Sequence, residues 1–246
     1  MDLQVGQHKM SFDSNHSMRM YAGQQYEPFE TMVMSRQIRQ GDIVLDIGAH
    51  IGYYTLIFAK LVGPAGLVFA FEPEPSSFAV LKENIRMNAY TNVVPEQLAI
   101  TSERGEAPLY INPIQPGDNR IYDSHDGSPF VKVKAVSLDD YFSFYTGEID
   151  FIKMDIQGAE MAALQGMSSL LRKSPSVIIF SEFWPFGLTT FGVDPVDYLT
   201  ALQRYGFYLQ NINDKRGKLE TISDFGTFAS QYPPSTETYT NILATR

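Results

Sequence analysis

Short apolar runs alternate with amphipathic stretches along the chain, and their order predicts most of the architecture. Ile43-Val44-Leu45 is a run of β-branched and aliphatic residues, the pattern of a strand buried on both faces. The run stops at Asp46, passes through a tight loop flanked by Gly48 and Gly52, and continues as a helix over residues 53–59. Residues 67–71 repeat the strand pattern and end at Glu72. Pro73-Glu74-Pro75 then opens a helix whose buried stripe is Phe78, Leu81 and Ile85. Residues 93–100 predict a third strand, and residues 107–111 and 130–136 alternate like the two arms of a hairpin. Between those arms lies a segment, 112–129, rich in Gly, Pro, Asp and Asn, long enough to be either functional or disordered. Ser137 followed by Asp139 and Asp140 predicts a capped helix start.

Residues 149–154 form another buried strand, ending in Asp155 and Gly158 and followed by a helix over 161–171. Residues 176–183 predict a further strand ending at Glu182, then an aromatic loop from Trp184 to Gly192, then a helix opened by Asp194-Pro195. Residues 207–212 and 238–245 predict two closing strands, paired as a hairpin at the sheet edge. Strands that alternate with helices in this way predict an α/β fold with a doubly wound, mostly parallel sheet. A helix ending before Gly41 precedes the first strand, with Glu27 and Glu30 at its start. Those acids suit either the helix dipole or a ligand. Residues 1–25 are polar and Met-rich; they predict an extension with a short hairpin lying over the open edge of the ligand site.

Composition narrows this further. At 246 residues and 44% hydrophobic content, the chain can bury a full core as one domain spanning 1–246. A net charge of −9 argues against recognition of nucleic-acid phosphates, which needs a basic face. There is no cysteine, hence no disulfide, thiolate nucleophile or cysteine-ligated zinc. No apolar signal core and no membrane-spanning run is visible, so a cytoplasmic location is expected. The oligomeric state is not legible.

The chemistry concentrates on Asp46-Ile47-Gly48-Ala49-His50-Ile51-Gly52. A glycine loop between strand and helix is where such folds bind nucleotides. A bare helix N-terminus would suit a pyrophosphate, but Asp46 adds negative charge and no Lys or Arg lies in the loop. That combination suits a cationic ligand without phosphate, and S-adenosylmethionine is one. Glu72, about 20 residues beyond Gly52, stands where these folds place the ribose acceptor. Gln97-Leu98-Ala99 is placed to wedge an adenine ring.

Four segments in order, DIGAHIGYYT, FEPEPSSFAVLKENIRMN, VSLDDYF and IDFIKMDIQGAE, resemble the FkbM-type methyltransferases from about Tyr26 onward. The resemblance implies a class I methyltransferase fold: a Rossmann-like, doubly wound seven-stranded sheet whose last strand is antiparallel. It also implies S-adenosylmethionine as donor and a hydroxyl on a sugar, polyketide or related natural product as acceptor. By the same matching, Gly48 and Gly52 border the methionine part, Glu72 holds the ribose and Asp155 lies near the amino group; Asp46, His50, Pro73, Leu98 and Ala99 complete the expected donor site. Two positions depart from the family pattern: His50 replaces Asn and Gln157 replaces Glu.

Transfer to a hydroxyl needs a proton acceptor. Asp155, His50 and Glu182 are the catalytic candidates, with Asp155 equally suited to orienting the donor and His50 to capping backbone. Glu182 could also join Asp155 on a divalent ion, although two carboxylates alone do not predict a metal. Trp184, Phe186 and His125 are candidates for the acceptor pocket, against the plainer readings of a lid packed on the core and a solvated turn. Two other function classes stay open: a nitrogen- or macromolecule-directed methyltransferase, and a donor-binding domain without catalysis.

Overall fold

The computed structural model describes residues 3–12, 18, 26–112, 116–123, 125 and 127–246. Within it lie β1 (Leu3–Val5), β2 (His8–Met10), α1 (Pro28–Gln37), β3 (Ile43–Ile47), α2 (Tyr53–Val62), β4 (Leu67–Phe71) and α3 (Pro75–Met87). The chain continues through β5 (Val93–Glu96), β6 (Ala99–Ile100), β7 (Gly105–Tyr110), β8 (Phe130–Val136), α4 (Leu138–Tyr141) and β9 (Phe151–Met154). It closes with α5 (Glu160–Gln165), α6 (Ser168–Lys173), β10 (Ile178–Phe183), α7 (Pro185–Thr190), α8 (Pro195–Arg204), β11 (Tyr208–Asn213), β12 (Lys218–Thr221), α9 (Phe225–Ala229) and β13 (Thr240–Thr245).

The main sheet runs β12-β11-β13-β10-β9-β3-β4-β5. Strands β5, β4, β3, β9 and β10 are parallel, and β13 is antiparallel to both β10 and β11. This is the expected doubly wound sheet with an antiparallel last strand, plus an eighth strand, β12, at the edge. The last strand is therefore interior, between β10 and β11, and not at the edge as its sequence position suggested. Successive residues point to opposite faces. Leu45, Ile152 and Ile179 join one core cluster, whereas Val44, Phe151 and Phe180 join the other. Because both faces carry cores, the strands read as continuous apolar runs. Asp150 ties the central pair together, its Oδ2 accepting from Ile43 N at 2.8 Å.

Four other expectations change. The strand predicted over 93–100 divides, because β4 ends at Phe71 opposite Glu96 and offers no partner beyond it. Residues 99–100 instead pair with β8 in a three-stranded sheet, β6-β8-β7, whose β7–β8 hairpin was expected. The helix predicted over 161–171 breaks at Gly166, which packs so closely on the Thr101 carbonyl that a Cβ would lie 2.2 Å from it. Asp139 then caps the second half, accepting from Ser169 N at 2.9 Å and Leu170 N at 2.8 Å. The aromatic loop after Trp184 is largely the short helix α7, opened by Pro185.

The N-terminal hairpin exists, but it does not cover the ligand site. It docks on α3, where Asn84 Oδ1 accepts from Ser11 N at 2.6 Å and Asn88 Oδ1 from Lys9 N at 3.0 Å. Most of 13–25, and residues 113–115, 124 and 126 of the long loop, lie outside the described residues. No helix among the described residues is long and apolar enough to cross a membrane.

Candidate active site

The carboxyl ends of β3, β4, β9 and β10 open onto a cavity of about 390 Å³, within the usual range for a small-molecule site. Gly48, His50, Glu72, Pro73, Leu98, Ala99, Asp155, Glu182 and Trp184 all line it. Nine of the positions singled out in the sequence therefore converge on one space.

Glu72 forms one wall. Its Oε2 accepts from His50 N at 2.8 Å and its Oε1 from Glu74 N at 2.9 Å. Burial pushes its carboxyl up to about 6, against the pull of the His50 ring and the two N–H groups. Each oxygen is held by one donor, which fixes the carboxylate and leaves a second lone pair on each. His50 adopts a left-handed backbone (φ 50°) that turns its N–H onto Glu72. The ring acts electrostatically on Glu72, so His50 belongs to the Glu72 wall.

Asp46 departs from expectation. Its side chain does not line the cavity and is fully buried; Oδ2 accepts from Thr55 Oγ1 at 2.6 Å. The charge offset absent from the loop comes from the neighbouring strand. Lys153 Nζ lies 3.6 Å from Asp46 Oδ1 and 3.5 Å from Asp155 Oδ2, and it donates to Gly48 O at 3.0 Å. Burial opposes the Lys153 charge, but Asp155, Asp46 and Glu27 outweigh it and raise the pKa. Burial likewise pushes Asp46 up despite Lys153 and Thr55. Gly52 also stays outside the cavity, at the N-cap of α2, where a Cβ would meet Leu81 Cδ1 at 2.6 Å.

A second wall is acidic. The Gln157 side-chain amide donates to Asp155 Oδ1 at 2.9 Å and to Glu182 Oε2 at 3.2 Å. An amide can bridge two carboxylates; a third carboxylate cannot. That geometry gives Gln157 a physical role. Burial, then Asp155, Glu160 and Glu27, push Glu182 well above the usual carboxylate range. Glu160 shapes the turn beneath, its Oε1 accepting from Ile156 N at 3.1 Å and Gly158 N at 3.2 Å. Glu27 lines the cavity and accepts from Tyr54 OH at 2.6 Å; burial pushes it up to about 7. Glu27 stands at the N-cap of α1 and also lines the ligand space, so its placement is compatible with both readings from sequence, whereas Glu30 is buried in α1.

Gln157→Glu is expected to destabilise the protein by about 1–3 kcal/mol, since two carboxylate contacts become repulsions. The new carboxyl would hold its proton in the folded chain at a pH where the unfolded chain is ionised. Its penalty therefore grows as pH rises through that interval and vanishes below it. Urea midpoints of variant and wild type at about pH 5 and about pH 8 check this.

Trp184 lines the cavity, its Nε1 donating to Glu237 O at 3.1 Å, while Phe186 packs on it from outside at 5.2 Å. Phe186 is thus a support for Trp184 and not a wall. His125 is exposed, in a turn closed by its own N donating to Asp123 Oδ1 at 2.7 Å, and it does not line the cavity. Among the described residues no three His, Cys, Asp or Glu side chains gather as a metal-binding group. The sequence reading overlooked Lys153 and Arg120, both of which line the cavity. A lysine inside an apolar strand is itself a signal, since such a charge is rarely buried unpaired. Arg120 carried no comparable mark.

Comparison with known proteins places this geometry. Residues 46–209 match the Methyltransferase FkbM domain. The hexuronic acid methyltransferase AglP of Haloferax volcanii is 28% identical over 174 residues, which are 69% of this chain and 65% of that protein. The methyltransferase sdnD of Sordaria araneosa is 28% identical over 50% of this chain and 60% of its own length. The 31-O-demethyl-FK506 methyltransferase FkbM of Streptomyces tacrolimicus is 41% identical over a shorter stretch, 28% of this chain and 26% of that protein. The matched regions span less than two thirds of AglP and of sdnD. Among solved structures, TYW2 of M. jannaschii in complex with AdoMet aligns with a TM-score of 0.51 at 15% identity, covering 100% of this chain and 84% of that one. That likeness bears on the fold alone.

Proposed function

The chain belongs to the FkbM methyltransferase family, and on that premise we propose that it is an S-adenosylmethionine-dependent O-methyltransferase acting on a hydroxyl of a small sugar-like or natural-product acceptor. The names of two relatives, one a hexuronic acid methyltransferase and one acting on an O-demethyl compound, support that acceptor class. The observation that carries the reading is Glu72. Its carboxylate is anchored by two backbone N–H groups at the cavity wall, with a lone pair left on each oxygen for a ribose diol.

The residues fit such a donor. Glu72 would hold the ribose, Leu98 and Ala99 give an apolar slot beside it, and Gly48 brings backbone close without a side chain between. Asp155 would receive the ammonium, since Lys153 and Gln157 fix its carboxylate. When bound, the donor supplies an activated methyl on a sulfonium that leaves readily. Positioning and exclusion of water then account for most of the acceleration. Glu182 takes up the acceptor's proton in this scheme. A carboxylate whose pKa is pushed up is a stronger base once ionised, so turnover rises with pH as Glu182 loses its proton.

A labelled-methyl assay over sugars and polyketide-type alcohols tests this. Transfer to oxygen is expected, and Glu182→Gln should lower kcat by about 10²–10⁴-fold with donor binding unchanged. Labelling of a nitrogen or of protein, or an unaltered kcat in the variant, would overturn it.

A further inference from the structure

Among the described residues, Lys153 and Arg120 bring permanent positive charge to the cavity, and they are held differently. Lys153 is matched by Asp46 and Asp155, whereas the buried Nε of Arg120 has no hydrogen-bond partner. The Arg120 guanidinium lies 4.8 Å over the Trp184 ring. Three restraints hold it there. Arg120 N donates to Tyr110 O at 3.1 Å and Tyr110 N to Arg120 O at 2.7 Å, which pins the backbone in a bridge to β7. Trp184 is held by Glu237 and buttressed by Phe186. Tyr122, two residues on, donates to Gln157 O at 2.7 Å and packs on Phe191. The arginine segment is thus tied to the Asp155–Gln157–Glu182 wall, where the acceptor's hydroxyl must come for Glu182 to act.

We propose that Arg120, stacked on Trp184 with its Nε unpaired, is the specificity residue that binds a carboxylate on the methyl acceptor. The inference rests on the methyltransferase reading and deepens it. A guanidinium presents parallel N–H donors that match a planar carboxylate, and stacking on an aromatic face fixes the plane of that fork. A buried donor with no partner within the protein is satisfied when the acceptor binds. Asp118 and Glu182 both line the cavity and act on one another electrostatically, so a singly charged carboxylate meets less repulsion there than a doubly charged phosphate. A neutral analogue would leave that Nε as unmatched as before, which is how a polar site rejects a ligand lacking the group.

Calorimetry on the full chain saturated with S-adenosylhomocysteine tests it, using methyl glucuronide, methyl glucoside and glucose 6-phosphate as probes. The glucuronide is expected to bind about tenfold more tightly than the glucoside. Arg120→Ala should erase that preference, and Arg120→Lys should lose most of it, while glucoside binding stays the same. S-adenosylhomocysteine affinity should remain within about twofold of wild type in both variants, which also reports that they fold. Four results would overturn the proposal: no preference for the glucuronide, tighter binding of the phosphate, no glucuronide binding at millimolar concentration, or a preference that survives Arg120→Ala. A large loss of S-adenosylhomocysteine binding in a variant whose urea midpoint matches the wild type would also overturn the proposal and assign Arg120 to the donor's own carboxylate. Absence of S-adenosylhomocysteine binding by the wild-type protein is a different outcome; it removes the methyltransferase reading itself.

Discussion

Replacing Lys153 with methionine is expected to destabilise the folded protein by about 3–5 kcal/mol, the range for leaving one member of a buried ion pair behind. Lys153 is 3% exposed and Asp46 is fully buried, so no water replaces the lost ammonium. The Asp46 carboxylate would keep only the Thr55 hydroxyl, with Oδ1 already lacking a hydrogen bond in the wild type. The direction with pH follows from Asp46. Its pKa, already raised by burial, climbs further without the cation, so the deficit widens as pH rises and narrows when the carboxyl is protonated. Urea unfolding of Lys153→Met beside the double variant Asp46→Asn/Lys153→Met checks the cause. The double variant should recover much of the loss, because it removes the stranded charge. Equal losses in both would mean that packing of the lysine stem, and not charge, is what the site needs.

Gly48→Ala should be the second large effect, about 2–5 kcal/mol. Gly48 has φ +79°, and a Cβ there would stand 1.9 Å from the backbone oxygen of Asp155 and 3.2 Å from Ile156 Cγ2. Backbone cannot rotate away as a flexible side chain can. Relief requires separating the loops after β3 and β9, which frame the cavity and which Lys153 fastens by donating to Gly48 O. Gly217→Ala is the matched control. Its φ is +59° but nothing lies within 4 Å of the added carbon, so it should show only the left-handed backbone term, about 1–2 kcal/mol. A Gly48→Ala variant no less stable than Gly217→Ala would mean that the loops separate freely.

What could be read from the sequence follows from how local each signal is. The strand at Ile43, its glycine loop, the helix behind it and the acid at Glu72 are set by runs of a few residues and by glycines with positive φ, and they are where they were expected. Long-range pairing was less legible. The end of β4 decides where β5 stops, and nothing near Gln97 records it. Strand β12 has the sequence KLET, too polar to announce itself, and is held by pairing with β11 at the sheet edge. Pro185 was the same helix-opening signal as Pro195 but was masked by the aromatic residues around it. The site shows the same division. Strand ends delivered Glu72, Asp155 and Glu182 to one cavity. Side-chain direction was not available, so Asp46 was placed in the cavity when it points inward to Lys153. The apparent excess of negative charge beside Gly48 was in part an excess of unseen partners. Arg120 reaches the cavity through a bridge between Tyr110 and a long loop, which no local pattern reports.

Calorimetric titration of S-adenosylhomocysteine into the wild-type protein and Glu72→Ala tests the central claim most directly. The wild type should bind at one site per chain, and the variant about a hundredfold more weakly or worse, since two hydrogen bonds to a charged group are lost. No binding by the wild type, or equal binding by both, would contradict the assignment of Glu72 and with it the adenosyl site.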